Sequence, residues 1–360
     1  MTTPNEREYS TMTEPSDFVV IGENIHATRI VRRKDSRVGT AEDRREAIAF
    51  VDPSGASRWL PVSETEQQSA SYLEGKLKHV RLAIQTAMSG AEPDAETALA
   101  YLESIVRGQL EGGARFLDVN VDEVSIEGSE QIDAMRWLAR TVSSWTTVPV
   151  AIDSPSIEVL AAGVEEATRH GAGPPMVNSA SVERLEALDL AVQAGGAVVV
   201  TATGESGMPT GADDRVANAT HIVELAADRG ISLDRIHVDP LVFPIAVDGA
   251  SVTHCLSVYR ELRELHGPEI HLTGGISNVS FGLPHRRLLN DAFLVLAIEA
   301  GADSGILDPI ASPLRRVLTL DRDSLPFRLA TDALTGVDEG CRAYLKAYRA
   351  GELESTEAVR

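Results

Sequence analysis

The sequence contains few cysteines and few lysines. The two cysteines, Cys255 and Cys341, form no Cys-x-x-C pair. Two cysteines cannot build a disulfide framework or a cysteine-ligated zinc site. Only four lysines occur, and 33 Lys and Arg against 54 Asp and Glu give a net charge of −21. This acidic balance argues against nucleic acid or an anionic membrane as partner, because both attract clustered basic residues.

Long apolar runs are also missing, and the first residues do not predict a leader segment. No run of about 18 apolar residues occurs, so we expect no membrane-spanning helix. The first 16 residues are polar and lack the apolar core of a signal peptide. We therefore expect a cytoplasmic protein with disordered tails at 1–16 and 351–360. The hydrophobic content of 43% and the charged content of 24% are typical of a globular domain.

Short apolar runs alternate along the chain with stretches that have a helical period. The runs are rich in β-branched residues or are flanked by glycine and proline, which favours buried strands. The stretches between them, such as 182–196 and 215–230, end at glycine, as helices commonly do. Eight such units predict a (β/α)₈ barrel in one domain spanning 17–350. The predicted strands are 18–22, 115–119, 148–152, 175–177, 197–201, 236–238, 270–273 and 305–307.

Residues 31–92 are surplus to a plain barrel and form a predicted insertion after the first strand. Within it, 47–62 predicts a hairpin, because Asp52-Pro53-Ser54-Gly55 suits a type I turn. The stretch 63–88 predicts one amphipathic helix. The loop after a barrel strand lies on the active face, so we expect the insertion there. Its role stays open between a flap or dimer contact and a part in function.

Polar side chains stand at the carboxyl ends of all eight predicted strands, where barrel enzymes carry their chemistry. A single polar residue there is an ordinary helix cap, but eight together indicate a site. Carboxylates offer only acceptors and amides offer both donors and acceptors, which suits a flat heterocycle with several N–H groups. A phosphorylated sugar fits poorly, because basic residues are missing. The residues are Glu23, Asn24, Asp118, Asn120, Asp153, Ser154, Asn178, Ser179, Thr201, Thr203, Glu205, Asp239, Ser277, Asn278 and Asp308.

A metal site is the alternative use for these carboxylates. Glu23, His26, Asp118 and Asp239 have suitable ligand atoms. However, the paired His-x-His of many metal-dependent barrel hydrolases is absent, and no two histidines stand at a ligand spacing. We therefore predict no metal, and we interpret His26 and His237 as structural residues or as residues behind the site.

Eight motifs in order resemble the pterin-binding barrels. More narrowly, the chain is similar to methyltetrahydrofolate:corrinoid protein methyltransferases and to the folate domain of cobalamin-dependent methionine synthase. The resemblance covers about 17–320 except the insertion, which compact members of the family lack. The motifs are IGENIHAT at 21–28, GGARFLDVNV at 112–121, VPVAIDSPS at 148–156, MVNSAS at 176–181, ESGMPTGADDR at 205–215, HVDPLVFP at 237–244, GGISNVSFG at 274–282, and LLNDAFLVLAIEAGADSGILDP at 288–309.

The resemblance implies roles for individual residues. Asp153, Asn178 and Asp239 would bind the pyrimidine edge of the pterin. Asn278 would donate a hydrogen bond at N5, the methyl-bearing atom, and Asp153 would assist it. The folate tail requires a cation, for which Arg286 is best placed, with Arg287 and Arg29 as other candidates. The remaining residues expected to contact the substrate are Glu23, Asp118, Asn120 and Ser277.

The implied reaction moves a methyl group between tetrahydrofolate and a corrinoid. Because the chain lacks an Asp-x-His-x-x-Gly cobalt-ligating loop, the corrinoid would belong to a separate protein that docks over the barrel mouth, near the insertion. Dihydropteroate synthases fit less well, since they need a lysine near strand seven and none lies between Lys78 and Lys346. Related barrels suggest a homodimer. Direct methyl transfer to a small acceptor and a non-catalytic folate-binding subunit stay open as alternatives.

Overall fold

A computed structural model describes residues 17–90, 92–204 and 207–353, without the side chain of Ser89. The predicted tail 1–16, most of the predicted tail 351–360, and Glu205 lie outside the described residues. Eight parallel strands form one sheet that curls into a barrel. They are β1 Val19–His26, β2 Phe116–Asn120, β3 Val150–Asp153, β4 Met176–Ala180, β5 Ala197–Thr201, β6 Ile236–Asp239, β7 His271–Leu272 and β8 Ser304–Leu307.

The strands follow one another around the barrel in chain order. Neighbours pair in parallel from β1 to β7, and β8 pairs with β1 on the other edge. Between β7 and β8 the barrel is closed by an isolated parallel bridge from Gly275 to Ile306. The N–H of Ile306 also donates to the carbonyl of Gly274 over 2.9 Å. The predicted (β/α)₈ barrel is confirmed.

Strand bounds differ from the predicted ones mainly at the carboxyl ends. β1 continues to His26, because Ile25 and His26 pair with Val119 and Asn120 of β2 beyond an irregularity in the ladder. β4 likewise runs on to Ala180. Apolar content does not reveal these extensions, since the added residues are largely polar side chains at the mouth. β7 is shorter than predicted and stops before the Gly274-Gly275 turn.

Helices cover the outside of the barrel and bring the chain back to the start of each next strand. Ser156 caps the third one, accepting from the N–H of Val159 over 3.4 Å. The fourth ends at Gly195 in the left-handed conformation, as the sequence predicts. The helices are α1 Asp94–Glu111, α2 Gly128–Trp145, α3 Ile157–His170, α4 Glu186–Ala194, α5 Ala212–Asp228, α6 Ser251–His266, α7 Arg286–Glu299, α8 Leu325–Leu334 and α9 Arg342–Ala350, with a short helix Leu314–Val317 before α8.

The predicted hairpin of the insertion is confirmed and belongs to a three-stranded antiparallel sheet. Its strands are Val38–Thr40, Glu46–Val51 and Ser57–Pro61. At the turn, the Asp52 carboxylate accepts from the N–H groups of Ser54 and Ala56 over 2.9 and 3.0 Å. These contacts fix the turn that the Asp-Pro-Ser-Gly sequence predicts.

The single helix predicted over 63–88 is wrong. The chain instead forms two short helices, a two-residue strand and one longer helix. Ser63 and Ser69 each begin a new helix by accepting a backbone N–H, and Gly75 has a φ of 80° that interrupts the helical path. The elements are Glu64–Gln67, Ala70–Leu73, the strand Lys76–Leu77, which pairs with Val31–Arg32, and His79–Ser89.

The insertion lies beside the carboxyl ends of the strands. Arg45 binds Asp94 at the start of α1 through two contacts of 2.5 and 2.8 Å, and Arg58 reaches Glu96 over 3.3 Å. Since α1 runs antiparallel to the strands, its first turn lies at the active face, where we expected the insertion. Among the described helices, none is long and apolar enough to cross a membrane.

Candidate active site

Asp153 is the centre of a hydrogen-bonded group at the ends of β1, β2 and β3. Its Oδ2 accepts from Nε2 of His26 over 3.1 Å and from Nδ2 of Asn120 over 2.9 Å. The hydroxyl of Thr28 lies 2.7 Å from Nδ1 of His26 and fixes the ring. Burial alone lowers the pKa of His26, but the hydrogen bond and charge of Asp153 raise it above its usual value. His26 therefore orients Asp153, and its own ring also lines the mouth.

Asp118 and Asn178 form a second contact, deeper in the barrel. Nδ2 of Asn178 donates to Oδ1 of Asp118 over 3.2 Å. Asp118 is buried, and this burial, with the nearby charge of Asp153, raises its pKa well above the usual value. The amide of Asn178 is thereby oriented with its nitrogen toward Asp118, which leaves its oxygen for another partner.

Asp239 stands at the end of β6, away from the other two carboxylates. Its Oδ1 accepts the backbone N–H of Leu241 over 2.7 Å. Burial raises its pKa to about 6, although this hydrogen bond and the charge of Arg215 act in the opposite direction. Asp239 is thus a carboxylate whose charge is costly to bury and would be stabilised by a donor from a ligand.

Three side chains keep one acceptor oxygen free of protein partners among the described residues. These atoms are Oδ1 of Asp153, Oδ1 of Asn178 and Oδ2 of Asp239. All three side chains remain partly exposed at the mouth. We call Asp153, Asn178 and Asp239 the acceptor side. Since no described residue donates to these free oxygens, they can receive hydrogen bonds from a ligand.

On the other side of the mouth, at β8, β1 and β7, the charged side chains pair with one another. Arg29 lies between two carboxylates, binding Glu23 over 3.2 Å and also Asp308. Ser277 donates to Glu23 over 2.5 Å. Burial raises the pKa of Glu23, although Arg29 and Ser277 act in the opposite direction. At Asp308, burial is outweighed by the charge of Arg29 and by backbone N–H groups, so the pKa is lowered. We call Glu23, Arg29, Ser277 and Asp308 the ion-pair side.

A cleft of about 710 Å³ opens from the ion-pair side toward the insertion. None of the three acceptor-side residues lines it. Sequence reasoning missed Arg37, His79 and Tyr101, because the cleft that they line forms only where the folded insertion packs beside α1. Burial lowers the pKa of His79 to about 3 and raises that of Tyr101 to about 12. Both are thus neutral at neutral pH, and the Tyr101 hydroxyl donates to Nδ1 of His79 over 2.9 Å.

Asn278 lies on the short 3₁₀ segment Ile276–Ser280 and lines the cleft. Its side chain has no hydrogen-bond partner among the described residues. The carboxamide folds back over Gly275, where an added Cβ would lie 2.6 Å from Nδ2. A Cβ on Gly274 would lie 2.6 Å from the Tyr259 hydroxyl and 3.5 Å from Oδ1 of Asp239. Because the two glycines have no side chains, the loop can approach these groups closely. This path places Asn278 between the acceptor side and the cleft.

Arg286 begins α7 beside the same loop. Its Nε donates to the Ser280 hydroxyl over 3.0 Å, and its Nη2 donates to the carbonyl of Ser277 over 2.8 Å. The guanidinium stacks on Phe281 at 4.2 Å from the ring centre. No carboxylate pairs with Arg286 in the described part of the chain, so its charge is available to an anionic group in the cleft.

The alternative metal ligands do not converge in the structure. Within 17–90, 92–204 and 207–353, no three His, Cys, Asp or Glu side chains are grouped so that they could hold an ion. His237 is buried, lies 2.9 Å from the Ser304 hydroxyl and stacks on His271 at 4.4 Å. Burial lowers its pKa to about 3. His237 thus packs inside the barrel as a neutral ring.

The barrel and its acceptor side together suit a flat, N–H-rich heterocycle at the carboxyl ends of the strands. The family model described as pterin binding enzyme matches residues 90–308. The chain belongs to this family of pterin-binding enzymes.

Similar proteins are found among curated sequences and solved structures. A methylcorrinoid:tetrahydrofolate methyltransferase of Eubacterium limosum is 31% identical over 285 residues, covering 75% of this chain and 97% of that protein. A methionine synthase of Mycobacterium leprae is 33% identical over 221 residues, covering 56% of this chain and 17% of that protein. Dihydropteroate synthase from Xanthomonas albilineans, solved with 7,8-dihydropteroate, is 19% identical, covers 63% of this chain and 86% of that chain, and has a TM-score of 0.48.

Proposed function

We propose that this protein transfers a methyl group between N5 of tetrahydrofolate and the cobalt of a corrinoid carried by a separate protein. The observation that supports this proposal is the sequence similarity to a methylcorrinoid:tetrahydrofolate methyltransferase, which covers 97% of that protein. The protein is a methyltransferase, and the same site serves both directions of transfer. Methyltetrahydrofolate or tetrahydrofolate is its substrate, and the corrinoid comes from the partner.

The acceptor side would hold the pyrimidine edge of the pterin. That edge carries a ring N–H and an exocyclic amino group, and the free oxygens of Asp153, Asn178 and Asp239 accept such donors. Hydrogen bonds to ionised groups contribute about 1.5–3 kcal/mol each. Asp118 and Asn120 then act through their contacts, Asp118 by orienting Asn178 and Asn120 by orienting Asp153.

Asn278 would act at N5. A tertiary amine is a poor leaving group, so the N5–CH₃ bond breaks only if N5 gains a proton or a strong hydrogen bond as the methyl departs. An amide cannot supply the proton, but Nδ2 can donate a hydrogen bond that strengthens as charge changes on N5. The side chain is free for this because no described residue holds it, and Asp153 assists from the acceptor side.

The ion-pair side would position the loop that carries Asn278. Ser277, directly before it, is held by Glu23, and Glu23 is held by Arg29. Glu23 and Ser277 stay proposed substrate contacts, since both line the cleft. Arg286 would bind the glutamate carboxylate of the folate tail, because it lines the cleft and pairs with no carboxylate in the described part of the chain.

The partner would dock over the mouth, where the methyl can pass directly between two bulky cofactors. Six of the loops that follow barrel strands each expose a large apolar side chain, and exposed apolar groups clustered on one face favour protein binding. The apolar residues are Ile30, Ile126, Met208, Val247, Phe281 and Ile310.

The cytoplasmic location, the homodimer and the absence of a nucleic-acid partner stay predictions.

Calorimetric titration with methyltetrahydrofolate and stopped-flow transfer to cob(I)alamin test this function. We expect Asn278→Ala to slow transfer about 100-fold, while the folate Kd changes by no more than about 3-fold. The matched control is Arg260→Gln on the outer face of α6, which should leave both values unchanged.

Four outcomes would contradict parts of the proposal. No folate binding by the unchanged protein would remove it altogether. A larger effect of Asn278→Ala on binding than on the rate would remove the role at N5. Turnover with a small methyl acceptor but no corrinoid would favour direct transfer, and folate binding without any turnover would favour a non-catalytic subunit.

A further inference from the structure

The proposed reaction exchanges a methyl group on N5 for a proton. When the methyl leaves for Co(I), the N5–CH₃ bond breaks and its electron pair stays on N5. The product tetrahydrofolate then has a hydrogen on N5 where the methyl was. Asn278 can donate a hydrogen bond to N5, but an amide does not release a proton at ordinary pH. Each turnover therefore needs a proton source that Asn278 does not provide.

His26 connects the cleft to the acceptor side. On one edge of its ring, Nε2 lies 3.1 Å from Oδ2 of Asp153. On the other edge, Nδ1 lies 2.7 Å from the hydroxyl of Thr28, an exposed residue. His26 and Thr28 both line the cleft, whereas Asp153 has its Oδ1 available to a ligand. The ring thus joins a group at the solvent side to a carboxylate of the acceptor side.

The contacts of the His26 ring suit both of its protonation states. A hydroxyl is both donor and acceptor, so Thr28 can donate to Nδ1 of the neutral ring or accept from the charged ring. The backbone N–H of Thr28 also approaches Nδ1, over 3.4 Å, which suits the neutral ring. At Nε2, an N–H can donate to Asp153 in either state. The ring can therefore gain or lose a proton without moving.

Three carboxylates face the ring and favour its charged form. Asp153 contacts it from β3, Asp118 lies behind it on β2, and Glu23 precedes it on β1. Burial lowers the pKa of His26, but the hydrogen bond and charge of Asp153 and the charges of the other two raise it above the usual value. Arg29, the nearest cation along the chain, is already bound by carboxylates of the ion-pair side. His26 thus holds its proton more tightly than an ordinary histidine.

We infer that His26 supplies, through Asp153, the proton that N5 takes up when the methyl group leaves. The inference rests on the proposed function, because it takes methyl transfer from N5 as the reaction. The imidazolium gives the proton on Nε2 to the Asp153 carboxylate, and the resulting carboxyl group passes a proton toward N5. The ring then regains a proton from solvent at Nδ1, beside Thr28. In the reverse direction, the same groups remove the proton from N5.

The variant His26→Gln tests this inference. The amide nitrogen of glutamine can replace Nε2 as the donor to Asp153, but it cannot release a proton. Stopped-flow transfer from methyltetrahydrofolate to cob(I)alamin gives the rate, and calorimetry gives the folate Kd. We expect the rate at neutral pH to fall about 100-fold, while the Kd changes by no more than about 3-fold. The matched control is His221→Gln at an exposed position of α5, which should leave both values unchanged.

The pH dependence of the rate separates proton supply from positioning. In the unchanged protein, the rate of transfer to cob(I)alamin should be level near about pH 6 and should fall at higher pH, as His26 loses its proton. This break in the profile should be absent from His26→Gln and retained in His221→Gln. A residue that only oriented Asp153 would lower the rate of the variant without removing the break.

The outcomes distinguish this inference from the function on which it rests. If His26→Gln kept the rate of the unchanged protein, or kept its pH break at a lower rate, the proton role of His26 would be overturned and the methyltransferase proposal would stand. A rise in the folate Kd as large as the loss of rate would also overturn it, since His26 would then only orient Asp153 for binding. If the unchanged protein bound no folate or transferred no methyl group, the proposed function would fail together with the inference.

Discussion

The two sides of the barrel mouth contain the same types of side chain, but different donors hold the carboxylates on each side. On the acceptor side, neutral or weakly basic donors hold the carboxylates: His26 and Asn120 bind one oxygen of Asp153, and a backbone N–H binds one oxygen of Asp239. On the ion-pair side, Arg29 lies between Glu23 and Asp308. One side keeps acceptors for a ligand, and the other has paired its charges internally.

This contrast shows that a carboxylate at a strand end does not by itself indicate a ligand contact. The role of such a carboxylate depends on which protein donor already binds it. A carboxylate held through one oxygen by an amide or imidazole can still bind an N–H group. A carboxylate paired with a buried guanidinium mainly fixes the position of its own loop, and separating that pair leaves an uncompensated charge.

Breaking the ion-pair side should give the largest effect on stability. Arg29→Gln leaves Glu23 and Asp308 close together without their cation, and removing one partner of a buried pair costs about 3 kcal/mol or more. We expect the free energy of unfolding in urea to fall by about that amount, with a smaller change in folate affinity. Arg260→Gln, at an exposed site, is the control and should change stability by less than about 0.5 kcal/mol. Equal effects of the two variants would mean that the ion pairs contribute nothing.

The acceptor side should instead respond in binding. Asp153→Asn removes a charged acceptor from the pterin, which costs about 2 kcal/mol, or roughly 30-fold in the Kd for methyltetrahydrofolate. Asp303→Asn is the matched control, because Asp303 binds Arg263 and His271 at the opposite end of β8. Calorimetry should show an unchanged folate Kd for the control. A similar loss in both variants would indicate general damage to the fold and not a lost pterin contact.

The sequence revealed the acceptor side better than the ion-pair side. Asp153, Asn178 and Asp239 each end a strand within a short family motif, so their convergence follows from the barrel topology. Arg29 was named only as a candidate for the folate tail, yet it binds Asp308, 279 positions away in the chain. That contact depends on the path of the loop after β1, which local pattern does not specify.

The insertion shows a second limit of sequence reasoning. Its hairpin was predicted correctly, because the turn residues and the alternating strand pattern are local signals. The helix over 63–88 was wrong, because the apolar spacing continued across Ser69 and Gly75, where capping and backbone conformation divide it. The cleft residues His79 and Tyr101 could not be found, since the cleft between them and the mouth exists only once the insertion has folded against α1.

Asp239 links stability to pH on the acceptor side. Its pKa of about 6 in the folded protein lies above the ordinary value of an aspartate, so the folded state holds the proton more tightly. The unchanged protein therefore loses stability as pH rises from about 4 to about 7 through this group. Asp239→Asn should recover part of that loss and raise the free energy of unfolding by about 1–2 kcal/mol at about pH 8, with no difference near pH 4. Urea unfolding at both pH values measures this, and a pH-independent difference would contradict it.

The smallest effect should come from the neutral contact on the insertion wall of the cleft. Tyr101→Phe keeps the edge-to-face packing on Phe50, at 5.0 Å between ring centres, but leaves Nδ1 of His79 unpaired. A hydrogen bond between neutral partners contributes about 1 kcal/mol, so unfolding should shift by about that amount, against almost none for the exposed Tyr348→Phe. If Tyr101→Phe lowered the free energy of unfolding as much as Arg29→Gln, charge would not distinguish the ion-pair side from the rest of the mouth. Burial alone would then explain the stability of both contacts.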